Sequence, residues 1–147
     1  MKTPSKRLKQ LIDNGYLFIS KVSEAELSKK QYSEKWSKKE ILGHLVDSAI
    51  HNLQRFTEIQ FKEQPYKLRK YNQNALVKAN DYQHCDIKTI ANLWLAINTH
   101  IINIIEQQTQ TTLNYKIELE TDNSCDLKFL IIDYIDHLEH HLNQIKA

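Results

Sequence analysis

Two histidines, His137 and His141, stand four residues apart in an otherwise apolar helical stretch at residues 127–145. Imidazoles one helical turn apart can grip a metal ion from a single side. A third histidine, His44, lies in another helical segment, which opens with Trp36-Ser37-Lys38-Lys39-Glu40. Three neutral imidazoles on a small divalent ion leave one or more coordination positions open, and an open position separates catalytic from structural sites. It takes water, or a thiol that coordination deprotonates. The chemistry to expect is nucleophilic attack, by a thiolate on an electrophile or by hydroxide on a hydrolysable bond. Histidine ligation suits zinc, nickel, copper or iron, so ligand type does not choose the metal.

The histidines differ in how well periodicity supports them. Counted at about 100° per residue, His141 falls well inside the face made by Leu127, Leu130, Ile131, Tyr134, Leu138 and Ile145. His137 lies at an edge of that face, His140 points off it and Glu139 points away. A buried imidazole needs a partner, which could be a carboxylate, a carbonyl or a metal. His44 falls on one flank of its helix's apolar face, with Asp47 and His51 further round the same side. A site at the edge of a core suits a metal that must also meet substrate. Asp47 and Asp133, each one turn from a candidate ligand, either orient the rings through their free nitrogens or are solvated surface charges. Gly43 beside His44 costs its helix about 1 kcal/mol against alanine, so it makes room for a neighbour or a ligand, or simply serves packing.

Several chemistries are excluded. Residues 137–141 read His-Leu-Glu-His-His, which is neither HExxH nor HxxEH. There is no GxSxG, no P-loop, and no pair of carboxylate–histidine motifs of the di-iron bundle type. Neither cysteine has an activating neighbour in sequence.

The elements that must position these groups are helices. The 147 residues make one domain with a real core, and only two glycines and two prolines interrupt them. So few turn residues, with aliphatics in helical periods, predict an all-α four-helix bundle. A first helix is expected over residues 5–22, followed by a short helical turn opened by Ser23 and Glu26. Ser37 and Glu40 form a second capping box that starts a helix reaching about residue 61. A third helix follows Asp86, carrying Ile90, Trp94, Ile97, Ile101 and Ile104, and the last covers residues 126–145. Between the second and third, apolar periodicity fades except for a short helix near residues 72–79; residues 115–119 alternate and read as extended. Roughly two dozen residues are more than a bundle loop needs. Such a link crosses the bundle, leaves the second and third helices parallel, and lets the second and fourth run antiparallel as neighbours. That arrangement is the one a three-histidine site requires.

Charge and cysteine usage narrow the setting. Lys+Arg number 20 against 18 Asp+Glu, intermixed along the chain. No concentrated basic stripe marks a specific nucleic-acid surface, and the lysine-rich start reads as the solvated face of the first helix. Cys85 and Cys125 lie far apart and outside any CxxC pair, which suits a reduced cytoplasmic protein. No signal peptide and no apolar run of membrane-spanning length is visible.

Taken together, the motifs resemble a known family. Trp36-Ser37, Glu40-Ile41, Gly43-His44-Leu45, Asp47-Ser48 and Arg55-Phe56 resemble the opening signature of the DinB/YfiT-like superfamily. Asp136-His137, His140-His141-Leu142 and Gln144-Ile145 resemble its closing signature, HxxxHxxQI, about ninety residues later. The resemblance implies a four-helix bundle with the long crossover. It also implies one divalent metal, commonly zinc or nickel with iron an alternative, on His44, His137 and His141; His140 and His51 have no ligand role in that pattern. The superfamily includes thiol S-transferases using low-molecular-weight thiols, thiol-dependent isomerases and DNA-damage-inducible proteins without a settled reaction, and homodimers are frequent in it. The implied function is metal-dependent transfer or hydrolysis on a small-molecule substrate. The competing class is a non-catalytic metal-binding or stress-response bundle acting as a dimer.

Overall fold

Four long helices carry the chain: α1 (Lys2–Lys21), α3 (Lys38–Glu58), α5 (Ile87–Glu106) and α7 (Leu127–Lys146). The computed structural model describes residues 2–120 and 122–147. Short helices α2 (Glu24–Leu27), α4 (Gln73–Asn80) and α6 (Gln110–Leu113) lie in the connections, with a 3-10 turn at Tyr82–His84. Each long helix after the first begins where a polar side chain stands at the N-terminus. Ser37 and Glu40 complete a reciprocal capping box, and the Asp126 carboxylate accepts from the Phe129 N–H. Asp86 holds the N-cap position of α5, but its side chain caps no backbone N–H there. That backbone end turns elsewhere, the Ile87 N–H donating to Glu24 Oε1.

α1 and α3 each pack against both α5 and α7, so each of these pairs sits on a diagonal. Contacts at the helix ends give the directions. Lys39 Nζ, at the start of α3, donates to the Cys85 carbonyl just before α5, so these two helices run parallel. Lys38 Nζ donates to Ala147 O at the far end of α7, so α3 and α7 run antiparallel. The expected crossover bundle is therefore observed. Arg7 on α1 bridges Asp136 and Glu139 on α7 at 2.8 and 2.7 Å, which accounts for Glu139 facing away from the histidines.

The core is continuous. Leu8, Ile12, Leu42, Leu45, Phe56, Trp94, Ile101 and Ile131 are nearly or wholly withdrawn from solvent, each such side chain favouring the fold by about 1.5–3 kcal/mol. Tyr134 donates to Asn98 Oδ1 at 2.6 Å within it, and Asn98 in turn donates to the Trp94 carbonyl. Gly15 lets α1 approach closely, since a Cβ there would stand 3.0 Å from both Leu142 and Trp94.

The sequence left the crossover as mostly irregular chain; the structure lays it along α3. β1 (Tyr66–Lys67) pairs in parallel with β2 (Lys116–Glu118), which pairs antiparallel with β3 (Ser124–Asp126). Of this small sheet only the extended run around β2 was expected. Tyr71 stacks on His51, with ring centroids 4.3 Å apart. Tyr82 seats on Gly43, where a Cβ would lie 2.1 Å from its ring. The glycine makes room for this tyrosine. Both cysteines are free thiols, and no helix among the described residues is long and apolar enough to cross a membrane.

Candidate metal centre

The antiparallel pairing of α3 and α7 brings the first third of α3 against the second half of α7. There His44, His137 and His141 each offer one ring nitrogen, and the three atoms lie within 4.8 Å of one another. His44 Nε2 and His137 Nε2 are 3.2 Å apart. The three rings meet edge to face, with centroids 4.5 to 5.1 Å apart. Nitrogens bonded to zinc at 2.0–2.1 Å in a tetrahedron stand about 3.3 Å from each other. The His44–His137 spacing and the all-imidazole donor set therefore fit a small divalent ion.

Burial sets the protonation of the cluster. Desolvation first, then the neighbouring His141 and His137, pushes the His44 pKa down to about 4. Burial, with His141 and His140 adding to it, pushes His137 down to about 4 as well. His141 is also lowered by burial, partly offset by its hydrogen bond to Gln144. All three rings are neutral at pH 7, the state a metal requires.

Gln144 is the partner that sequence reasoning quoted in a motif without giving it a role. Its Oε1 accepts from His141 Nδ1 at 2.8 Å, which fixes the tautomer and leaves Nε2 with its lone pair. Gln144 Nε2 lies 3.5 Å from Nε2 of the exposed His140. The signal was available as the i,i+3 spacing of residues 141 and 144 on one helix. Trp36 is the second such residue, its ring centroid 5.0 Å from that of His44.

Of the two readings left open for the aspartates, Asp133 takes that of a surface charge and Asp47 takes neither. Asp47 does not hold a ligand ring: its Oδ1 accepts from Tyr82 O–H at 2.6 Å and from Asn80 Nδ2 at 3.1 Å. Asp133 is exposed, and its carboxylate hydrogen-bonds neither His137 nor any other described residue. The burial order is also reversed. His44 is fully buried, whereas His137 and His141 are only half-buried. On α7 the buried face includes Ile135 and Leu142, which moves its centre away from His141. On α3 the docked crossover covers Asp47 through Tyr82 and Asn80, while His44 is enclosed among Trp36, His137 and His141. His51, outside the cluster, donates Nδ1–H to the Asp47 carbonyl.

Two clefts reach the histidines. One of about 690 Å³ opens beside His141 and is bordered by Trp36, Ile41, Lys29, Lys35 and Gln144. Another of about 410 Å³ opens beside His137, between α3, α7 and the crossover.

The fold has solved counterparts. YfiT from Bacillus subtilis, described as a probable metal-dependent hydrolase with an unusual four-helix bundle topology, superposes with a TM-score of 0.87. It shares 17% identity over 99% of this chain and 83% of its own. A mycothiol-dependent maleylpyruvate isomerase superposes with a TM-score of 0.75 at 11% identity, over 99% of this chain. This chain spans only 60% of the isomerase. At such identities the likeness concerns the fold. No curated protein matches the sequence. Residues 44, 137 and 141 fall within a stretch, residues 7–145, that matches the model of the DinB superfamily, and the chain belongs to that superfamily.

Proposed function

We propose that this protein is a metal-dependent enzyme in which His44, His137 and His141 hold one divalent ion, zinc or nickel before iron, and that the site activates a thiol or water nucleophile against a small molecule. The observation that carries this reading is the convergence of three neutral ring nitrogens beside two open clefts. Plugged clefts would have favoured a merely stabilising metal. The mycothiol dependence of the isomerase of like fold supports a thiol as one candidate nucleophile.

A divalent ion bound there would supply Lewis acidity and lower the pKa of a coordinated thiol or water. The chain's own residues do the rest. Burial keeps His44 and His137 unprotonated near neutral pH, so no proton competes for their lone pairs. Gln144 orients His141 through Nδ1–H. Trp36 shields the face of His44 from water.

The test uses protein purified without a histidine tag. Elemental analysis should find about one divalent ion per chain, and a generic electrophile should be conjugated by a low-molecular-weight thiol, or an activated ester hydrolysed, in a chelator-sensitive manner. Full metal occupancy in His141→Ala would refute the triad. Metal binding with no turnover by any thiol or ester tried would leave a non-catalytic metal protein.

A further inference from the structure

We propose that Arg55 binds an oxyanion, a carboxylate or phosphate group on a small organic molecule, in the cleft beside His137. As a substrate site this rests on the metal-dependent reading above; as an anion site it stands alone. Residues 44, 48, 52 and 55 follow one another at helical spacing along α3. Ser48, Asn52 and Arg55 thus form a polar track leading away from His44, and His137 faces it from α7. At about 410 Å³ the cleft has the size of a small-molecule site.

The state of the guanidinium identifies the ligand class. Arg55 is half-buried, yet every partner it has is neutral. Its Nη2 donates to the Arg69 carbonyl and its Nη1 to Asn52 Oδ1 at 3.5 Å. Its Cζ lies 5.4 Å from the centre of the Tyr71 ring. No carboxylate among the described residues forms an ion pair with it. Arg7, by contrast, meets two. A partly desolvated cation without an anion is an unfavourable arrangement, and burial accordingly lowers the Arg55 pKa. The group is also held in place: Tyr71 is clamped by His51, which is itself tied to the Asp47 carbonyl. A fixed, planar donor fork with unused N–H groups is suited to a bidentate oxyanion.

The surroundings give direction and specificity. Leu68, Leu130 and Tyr134 supply apolar wall in the same cleft, which favours an organic anion over a bare inorganic one. Lys70 adds positive charge, held only loosely by Glu120 at 4.0 Å. The acid in the cleft, Asp133, lies one turn from His137 and not on Arg55. Arg55 also borders a larger cleft of about 880 Å³, in which Lys62, Lys67, Arg69 and Lys70 accompany Glu58 and Glu63, but that cleft does not reach the histidine cluster and has no part in placing a molecule beside it. An oxyanion held at Arg55 beside His137 would direct the body of the molecule toward the histidine cluster.

Isothermal titration of the metal-free and metal-loaded full chain with benzoate, and separately with inorganic phosphate, tests this. Arg55→Gln should weaken binding at least tenfold in both metal states, Arg55→Lys should restore part of it, and neither should change metal content. Amide shifts in the metal-free protein should centre on Asn52, Tyr71 and Leu130. Tighter benzoate assigns a carboxylate on an apolar body, and tighter phosphate assigns a phosphoryl group. Equal affinity in parent and Arg55→Gln, no binding of either anion at tens of millimolar, or shifts centred on Glu58 and Glu63 would overturn the proposal. Loss of metal binding with the anion site intact would instead count against the metal-dependent reading alone.

Discussion

His44 Nε2 and His137 Nε2 lie 3.2 Å apart although 93 positions separate the two residues. At that spacing they either share a single N–H or present two lone pairs to one cation. Metal content separates these outcomes. Alanine at residue 44, 137 or 141 should each reduce bound divalent ion from about one per chain to a small fraction, because two imidazoles chelate far more weakly than three. His140→Ala and His51→Ala should retain it. Elemental analysis of the five variants after the same purification is the measurement, and a triad variant that keeps its metal would remove that residue from the set.

Gly43 and Tyr82 form a second dependence. With a Cβ 2.1 Å from the Tyr82 ring, Gly43→Ala must displace the tyrosine and break its hydrogen bond to Asp47. Overpacking of this kind costs about 1–3 kcal/mol, and loss of a hydrogen bond to a buried carboxylate adds to it. Urea denaturation should show Gly43→Ala less stable by about 2–4 kcal/mol. Tyr82→Phe, which keeps the ring and drops the hydroxyl, should lose about 1.5–3 kcal/mol. An unchanged urea midpoint in Gly43→Ala would mean that the crossover does not dock on α3 in this way.

The pH dependence of the metal-free protein has a definite sign. His44 and His137 titrate near 4 in the fold, against an ordinary value of 6.5. As pH falls below 6.5 the unfolded chain takes up protons that the folded cluster refuses. The stabilising contribution is whole above pH 6.5, declines from there to about pH 4, and is gone below. For His44, fully buried, it amounts to at most about 3 kcal/mol. Thermal melts in chelator should therefore be flat from pH 8 to 7 and fall between pH 6.5 and 4, with the slope reduced in His44→Gln. A midpoint that rises on acidification across that window would contradict the burial of these rings.

The parts of the molecule that were legible in advance are those decided locally. Ser37 and Glu40 cap α3 because two side chains three residues apart satisfy each other's backbone whatever the fold. The length of the link between α3 and α5 was enough to imply a crossover. What local pattern could not supply is what the crossover covers. Tyr82, Asn80 and Tyr71 reach α3 only through tertiary docking, so Asp47 read as a ligand's partner or a surface charge when it is a docking point. His44 read as peripheral because the side enclosing it belongs to another segment. β1 and β3, at two and three residues, are too short to carry a period. The face of α7 was misjudged by leaving Ile135 and Leu142 out of it, and those two residues decide that His141 stands at the rim.

That rim position makes Gln144 important. A half-exposed imidazole can rotate, and the 2.8 Å bond from His141 Nδ1 to Gln144 Oε1 is what holds its Nε2 in register with the other two rings. His44, by contrast, is held by burial, and its Nδ1 has no hydrogen-bond partner among the described residues. Loss of an outer partner to a ligand histidine typically weakens metal binding 10–100-fold. Gln144→Ala should show a loss of that size in competition with a chromophoric chelator, while its urea midpoint stays close to the parent's because the side chain is exposed. Gln144→Glu, which keeps the acceptor and adds charge, should bind at least as tightly as the parent. If Gln144→Ala held metal with undiminished affinity, His141 would be oriented by α7 alone, and the glutamine would belong to the surface with His140.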